Sequence, residues 1–239
     1  MKRKLKMLLT TQNAKTSKGE SLGYLTGILY LAPSKSVDGI NTCPMASKGC
    51  SQSCLFTAGR GKFKSVKQTR INKTIIFRDD LGYFMESIVY SIQKTIKQAK
   101  KLGLKPCIRL NGTSDIQWEK IRNKEGKNIL EIFPDIQFYD YTADHTRHKA
   151  FLGTWQNYHL TFSRKESKAN NRQAERLLSM GVNVSAVYLD LDKALTAFDA
   201  INGDIHDLRF LDGKQGKIVA LRAKGEAKKD FSGFVIRNA

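Results

Sequence analysis

The chain reads Gly-Tyr-Leu-Thr-Gly-Ile-Leu-Tyr-Leu-Ala from Gly23 to Ala32, and a Pro-Ser pair ends this run of β-forming residues. Such a run predicts a buried strand. After an intervening loop, Val66 to Phe77 has a helical pattern. Apolar residues then recur at helical spacing from Leu81 to Ala99, behind a predicted cap at Asp79 or Asp80. The first hundred residues therefore predict one buried strand followed by two helices.

Strand candidates and helical stretches alternate along the rest of the chain. The strand candidates are Cys107–Leu110, Ile136–Tyr141, Tyr158–Phe162, Val182–Leu189, Leu208–Leu211 and Ile218–Leu221. Segments long enough for crossover helices are Thr142–Gly153, Lys165–Met180 and Asp192–Ile201. Alternation of this kind predicts an α/β protein with a mostly parallel sheet. No Gly-rich phosphate-binding turn follows the first strand, so we favour an incomplete or distorted β/α barrel over a dinucleotide-binding sheet.

Length and composition fit one domain over residues 1–239. The 239 residues are 41% hydrophobic and 26% charged, which is ordinary for a globular protein. Neither a repeat nor a linker interrupts them, and Arg122–Asn128 and the tail after Lys224 have loop composition. No apolar run approaches the roughly 20 residues that span a bilayer, and Met1–Leu9 lacks the apolar core of a signal peptide. We therefore expect a cytoplasmic protein without a membrane partner.

Three of the four cysteines lie close together after the first strand. Cys43, Cys50 and Cys54 have the spacing Cys-x6-Cys-x3-Cys within what we call the cysteine loop, about residues 41–62. In a reducing cytosol such clustering indicates metal binding or redox chemistry rather than disulfides. Zinc sites usually pair their ligands in two short spacings, and no second pair follows this trio. The loop therefore predicts an iron-sulfur centre, most simply a 4Fe-4S cluster, with Zn²⁺ as the alternative.

The fourth ligand is left open by the sequence. Cys107 begins a predicted strand, so it either points to the same end of the sheet as the trio or is a small buried core residue. Without Cys107, one iron would be free to hold water, a side chain or a substrate. Basic residues near the trio, Lys48, Arg60 and Lys62, are expected to lower the pKa values of the thiols.

The chain is strongly basic, especially in its first third. Lysine and arginine number 41 against 22 acidic residues, a net charge of +19. Up to Thr74 there are 14 basic residues against only Glu20 and Asp38. A polyanion such as DNA or RNA would suit this charge, although a solvated surface explains it as well. The predicted nucleic-acid contacts are Arg60, Lys62, Lys64, Lys67 and Arg70.

Polar residues follow several predicted strands, where α/β proteins keep their functional groups. The predicted ligand or substrate contacts are Arg109, Asn111, Thr113, Ser114, Asp115, Asp140, Tyr141, Arg147 and Ser163. Ser114 or Asp115 could instead cap a helix whose first turn contains Glu119. The histidines at positions 145, 148, 159 and 206 have no recognisable partner spacing and read as surface or structural residues.

Four segments together resemble a known family. The cysteine loop, Arg-Leu-Asn-Gly-Thr-Ser-Asp-Ile at 109–116, Phe-Tyr-Asp-Tyr-Thr at 138–142 and Tyr-His-Leu-Thr-Phe-Ser at 158–163 resemble the phage "gene product 88" proteins. The resemblance spans roughly residues 20–190. It implies a phage or prophage origin, hence the host cytoplasm, and a cysteine-ligated centre, but it supplies no reaction.

A looser resemblance is to radical S-adenosylmethionine enzymes. These enzymes also place three cysteines after the first strand of a partial β/α barrel, which leaves one iron free for the cofactor. Their usual spacing is Cys-x3-Cys-x2-Cys, whereas this chain has x6 and x3 and no Gly-Gly-Glu-like stretch. The motifs therefore do not support S-adenosylmethionine binding.

Three functions are consistent with these observations. The first is a phage-type iron-sulfur protein whose basic surface engages nucleic acid, favoured narrowly because the charge and the cysteines share one segment. The second is a cluster-dependent enzyme with the polar strand ends around its substrate. The third is a zinc-structured protein that binds or inhibits a host protein.

Overall fold

A single open sheet organises the part of the chain that the computed structural model describes, residues 3–12, 14–147 and 153–238. Its strands are β1 (Leu9–Thr10), β2 (Tyr24–Leu29), β3 (Lys105–Arg109), β4 (Gln137–Thr142), β5 (Tyr158–Ser163), β6 (Val184–Tyr188), β7 (Ile201–Asn202), β8 (Ile218–Arg222) and β9 (Val235–Ile236). The order is β1-β2-β3-β4-β5-β6-β8-β7, with β9 paired to β6. Only the β1–β2 pair is antiparallel. The predicted α/β class with a mostly parallel, incomplete sheet is confirmed.

Helices connect most of the parallel strands. They are α1 (Ala14–Glu20), α2 (Lys48–Gln52), α3 (Lys64–Asp79), α4 (Leu81–Lys101), α5 (Ile129–Ile132), α6 (Lys168–Ser179) and α7 (Leu191–Ala197). The two helices predicted after the cysteine loop are confirmed as α3 and α4. Asp80 is the N-cap of α4, and its side chain accepts a hydrogen bond from the backbone N–H of Tyr83 at 3.0 Å.

Some predicted elements were wrong. Residues 208–211 are not a strand, because Leu208 and Phe210 insert their side chains against the sheet and Arg209–Asp212 forms a 3-10 turn. The tail after Lys224 is not simply a loop, since it contains a 3-10 turn at Gly225–Lys229 and strand β9. The short strand β1 precedes the strand that we expected to be first. Residues 143–147 form no helix, and the rest of that predicted helix, with His148, lies outside the described residues.

The two faces of the sheet differ, because successive side chains of a strand point to opposite sides. On one face, apolar residues pack with α4 and α6 in the main core. This core includes Phe84, Ile88, Ile92, Ile108, Phe138, Leu160, Phe162, Leu177 and Val184. Burial of each such side chain stabilises the fold by about 1.5–3 kcal/mol.

The opposite face is covered by the segment that joins β7 to β8. This face carries the alternating residues Cys107, Arg109, Tyr139 and Tyr141. Leu208 packs on Cys107 and Tyr139, and the ring of Phe210 lies 5.6 Å from that of Tyr139. Asp207 forms an ion pair with Arg109. The segment thus fills the lower part of this face and leaves the carboxyl ends of the strands open.

Strand β9 occupies the gap where β5 and β6 separate. One edge of β6 pairs with β8 from Val184 to Tyr188. Its other edge is shared, since β5 pairs with Val184 and Ser185, and β9 pairs with Val187 and Tyr188. Arg164, directly after β5, donates a hydrogen bond from Nη1 to the Gly233 carbonyl at 2.8 Å. The end of the chain therefore helps to build the carboxyl edge of the sheet.

Candidate metal centre and its cavity

A cavity of about 390 Å³ lies at the carboxyl ends of the parallel strands. Its wall includes Arg109 and Tyr141 from the ends of β3 and β4, and Ser163 and Ser185 from β5 and β6. Carboxyl edges of parallel sheets are where α/β proteins bind ligands, and cavities of this size take small molecules. The position and size of the cavity are therefore typical of a ligand-binding site.

The cysteine loop brings Cys43, Cys50 and Cys54 to the wall of this cavity. The Cys43 thiol lies 3.6 Å from the carbonyl oxygen of Thr113, in the turn after β3. The Cys54 thiolate or thiol accepts a hydrogen bond from the backbone N–H of Phe56 at 3.5 Å. Charge on Cys54 raises the pKa of Cys43, and charge on Cys50 raises that of Cys54, so the three sulfurs are electrostatic neighbours. The structure thus brings the predicted trio together.

Glu166, in the segment after β5, holds the cysteine loop in place. Its carboxylate accepts hydrogen bonds from the Ser47 hydroxyl and from the backbone N–H of Gly49. The Ser47 hydroxyl in turn accepts a hydrogen bond from the backbone N–H of Cys50 at 3.2 Å. A Cβ atom on Gly49 would lie 2.1 Å from the Ser232 Oγ, so only glycine permits this approach to the chain end.

The pKa values of the thiols do not follow the sequence prediction. Burial raises the pKa of Cys43 to about 11, and it also raises the pKa of Cys54. Lys48, Arg60 and Lys62 point into solvent, where their charges are screened. The cations that lower the pKa of Cys54 are instead Arg70 and Lys165. The prediction of exposed cations lowering the pKa values of Cys43 and Cys54 was wrong.

Cys107 lies away from the trio. Its Sγ is 3.3 Å from the Thr26 Oγ1, the side chain is fully buried against Tyr139 and Leu208, and it is not part of the cavity wall. Burial raises its pKa to about 12. Because Cys107 shares a face of β3 with Arg109 but precedes it by two residues, it lies one layer deeper in the sheet. The structure gives Cys107 the surroundings of a core residue.

The described residues contain no ready-made site for a single ion. Within residues 3–12, 14–147 and 153–238, no group of three or more His, Cys, Asp or Glu side chains is arranged to hold a metal ion. One zinc ion needs its ligand atoms about 2.0–2.3 Å from one point. Cysteines that bind a cubane cluster each reach a different iron, so their sulfurs stand further apart than those around one ion.

The turn after β3 supplies polar groups to the cavity wall, namely Asn111, Thr113, Ser114 and Asp115. The Asn111 Oδ1 accepts hydrogen bonds from the Ser114 hydroxyl at 2.8 Å and from the backbone N–H of Ile116 at 2.9 Å. The Asp115 Oδ2 accepts one from the backbone N–H of Ala143. The alternative of helix capping was wrong, because the next element is only a 3-10 turn, Trp118–Lys120, with Gln117 as its N-cap.

Asp140 and Arg147 support this turn rather than line the cavity. Asp140 accepts hydrogen bonds from the backbone N–H of Asn111 at 2.7 Å and from the Tyr158 hydroxyl at 3.0 Å. Arg147 donates to that hydroxyl and, through two nitrogens, to Glu119. Complete burial raises the pKa of Asp140 to about 7 although these partners lower it. The network fixes the position of Asn111.

Arg109, Tyr141 and Ser163 do lie on the cavity wall, and the structure adds residues that the sequence did not suggest. Asp207 neutralises Arg109, whose guanidinium also lies 4.8 Å from the Tyr141 ring centre. Lys165 is buried and lines the cavity. It follows β5 directly, so the rule that placed Ser163 at a strand end could have found it. The predicted crossover helix, Lys165–Met180, begins only at Lys168, which leaves Lys165 in the turn after β5.

The predicted nucleic-acid contacts do not all face solvent. Arg60, Lys62 and Lys64 are exposed, and Lys67 is half-buried. Arg70 is buried, with its guanidinium 4.8 Å from the Tyr30 ring centre and 5.4 Å from that of Phe56. Arg60, Lys62 and Lys64 therefore form an exposed basic patch at the end of the cysteine loop, and Arg70 is buried.

These features define an α/β protein with a cysteine-lined cavity at the carboxyl edge of a mostly parallel sheet. The family model for Gene product 88 matches residues 7–238. The chain therefore belongs to this phage protein family, as the four sequence segments predicted. No curated protein and no solved structure matches the chain. In the described part of the chain, no helix has the length and apolarity to cross a membrane.

Proposed function

We propose that this protein is a cluster-dependent enzyme in which Cys43, Cys50 and Cys54 hold a 4Fe-4S cluster at the wall of a substrate cavity. The observation that carries the proposal is the shared cavity: the three loop cysteines and the polar turn after β3 line the same space. A purely structural metal would have no need of a cavity of about 390 Å³ beside it.

A cluster suits the residues better than a single zinc ion. Cys107 is not on the cavity wall, so among the described residues the trio offers three cysteine thiolates to the cavity without a fourth. Structural zinc is almost always held by four protein ligands, whereas a cubane with three thiolates keeps one iron open. The open iron would face the cavity. When bound, such a cluster supplies a Lewis acid or an electron to a ligand there.

A buried cation near Cys54 supports an anionic centre. The Arg70 Nε and Nη1 are buried and have no hydrogen-bond partner among the residues described. Such groups are costly unless something absent from the protein chain pairs with them. Arg70 also acts electrostatically on Cys54. A cluster held by thiolates carries negative charge and acceptor sulfurs, which would satisfy this environment.

The chain's own residues would then bind and orient the substrate. Asn111 is fixed by Asp140, and it fixes Ser114 beside the cavity. Glu166 accepts a hydrogen bond from the backbone N–H of Gly49 and so fixes the cysteine loop. Side chains locked in this way lose little entropy on binding, which favours a defined substrate position. These residues would position the substrate and exclude water from it.

The test is anaerobic purification with iron, sulfide and zinc counted per chain, together with the absorption spectrum. We expect about four irons per chain and a brown colour in the wild type. Cys43→Ala, Cys50→Ala and Cys54→Ala should each lose most of the iron, whereas the matched control Cys107→Ala should keep it. A colourless protein with one zinc would overturn the proposal in favour of a zinc-structured interaction protein, and iron loss in Cys107→Ala would make Cys107 the fourth ligand.

Nucleic-acid binding is a second candidate function, favoured by the exposed patch of Arg60, Lys62 and Lys64 at the end of the cysteine loop. Replacement of these three residues by glutamine should weaken binding to DNA or RNA and reduce its dependence on salt. The matched control is Lys97, Lys100 and Lys101, which are exposed at the end of α4. Equal weakening in both variants would mean that only net charge matters.

A further inference from the structure

Lys165 is unusual among the cations that line the cavity. The others, apart from His206, each have an anionic or carbonyl partner: Arg109 pairs with Asp207, Lys224 with Asp204 and Arg222 with Asp192, while Lys18 and Arg164 donate to backbone carbonyls. His206 lies beside Arg209 and 3.9 Å from Asp212. In the described ranges, Lys165 has no carboxylate within ion-pair distance.

The ammonium of Lys165 keeps unused hydrogen-bonding capacity. It donates to the Ser163 hydroxyl at 3.0 Å, and this is its one side-chain hydrogen bond within the described residues. An ammonium has three N–H donors, so two remain. The side chain is 7% exposed, and its Nζ lies 5.3 Å from the Phe234 ring centre. A buried cation with free donors in a cavity wall is costly unless a ligand completes it.

The neighbours of Lys165 hold it in this position. Its backbone N–H donates to the Asn170 Oδ1 at 2.6 Å. Arg164 is fastened to the carbonyls of Gly233 and Phe234, and Glu166 is fastened to the cysteine loop. Because both flanking side chains are occupied elsewhere, neither competes for the space in front of the Lys165 ammonium.

We propose that Lys165, with Ser163, forms a subsite for the carboxylate of a small substrate in this cavity. Lys165 brings a single positive charge, and the buried Asp115 carboxylate on the same cavity wall interacts electrostatically with it. A second negative charge on the ligand would therefore stay uncompensated in a buried site, which favours a carboxylate over a doubly charged phosphate. That the carboxylate belongs to a substrate rests on the proposed enzyme function. The subsite itself does not use any of the three loop cysteines. Binding would place the rest of the molecule in the space that the three loop cysteines share.

The experiment is a melting-temperature titration of the full-length protein with sodium acetate and sodium benzoate, against sodium chloride of equal ionic strength and inorganic phosphate. Both carboxylates should stabilise the wild type more than chloride or phosphate does. Lys165→Met should weaken carboxylate binding by about tenfold or more, the expected loss of a charged hydrogen bond. The matched control is Lys168→Met, which removes an exposed charge on α6 and should bind as the wild type does.

Several outcomes would overturn the inference. These are the absence of a carboxylate-specific shift in the wild type, equal effects of Lys165→Met and Lys168→Met, or phosphate binding as strong as carboxylate binding. If Lys165→Met does not fold, Ser163→Ala decides, since it keeps the cation and should weaken binding by about threefold. Iron counted in the same samples separates the two proposals. A metal-free chain that binds carboxylate through Lys165 overturns only the cluster, and a chain with four irons that ignores carboxylate overturns only the subsite.

Discussion

The Glu166 carboxylate accepts the backbone N–H of Gly49 at 2.9 Å, a contact between residues 117 positions apart in the chain. It ties the end of β5 to the helix that contains Cys50. The loop that carries the three cysteines is therefore positioned by a residue from the segment that follows β5.

Replacement of Glu166 by alanine should loosen the cysteine loop. Two hydrogen bonds to a charged carboxylate are lost, and partial exposure of Glu166 limits the cost to about 1–2 kcal/mol in the free energy of unfolding. Urea unfolding measures this change. Limited proteolysis within residues 41–62 should become faster. The control is Glu175→Ala, on the exposed side of α6. Equally fast cleavage within residues 41–62 in this variant would contradict a specific role for Glu166.

Gly49→Ala should destabilise the contact between α2 and the chain end. The added Cβ would lie 2.1 Å from the Ser232 Oγ and 2.7 Å from the Phe234 Cβ, so one of the segments must move. Overpacking of this kind costs about 1–3 kcal/mol. The control is Gly82→Ala in α4, whose new Cβ would meet only ordinary contacts and should leave the protein as stable or slightly more stable. Equal melting temperatures for the two variants would contradict the packing argument.

Asp207→Asn should be more damaging than an ordinary surface change. It leaves the buried guanidinium of Arg109 without its carboxylate, which costs about 3–5 kcal/mol. The double variant Arg109→Met with Asp207→Leu removes both charges and should recover much of the loss in urea unfolding. Asp192→Asn, which breaks the exposed pair with Arg222, should cost under about 1 kcal/mol. A double variant no more stable than Asp207→Asn would show that the pair itself is not the cause.

Asp140 should make stability depend on pH. Its pKa is raised to about 7 in the folded protein, against about 4 in an unfolded chain. Its contribution is therefore fully present below about pH 4 and is lost as the pH rises through about 7. The stability of the wild type relative to Asp140→Asn should fall across this range in urea unfolding. The control Asp135→Asn removes an exposed carboxyl group. A difference between wild type and Asp140→Asn that stays constant across this range would contradict the shifted pKa.

Local pattern was enough to predict most of the fold. The helical repeat from Leu81 to Ala99 and the apolar runs of β3, β4 and β5 each reflect burial on one face, which sequence periodicity records directly. The segment around Leu208 has the same apolar character, but it packs on a face of the sheet instead of pairing with the edge of a strand. Periodicity does not distinguish these two kinds of burial in so short a run.

The candidate site was predictable only where its members are neighbours in sequence. Cys43, Cys50 and Cys54 cluster within one loop, and Asn111 to Asp115 form one turn. Glu166 and Asp207 meet their partners across 117 and 98 positions, and no local signal marks such pairs. Arg70 looked like one more basic residue of an exposed helix, since charge alone does not indicate which side of α3 faces Tyr30 and Phe56.

The insertion of β9 between β5 and β6 has a consequence for biosynthesis. Ribosomes release a chain from its amino end, so β2 and the cysteine loop emerge long before Ser232, Phe234 and Val235. Gly49 packs against Ser232 and Phe234, and Lys165 lies beside the Phe234 ring. The loop thus reaches its final packing only after residues 232–235 have been translated. The cavity is therefore completed only once β9 has been made, and a nascent chain stalled before Phe234 would expose its thiols.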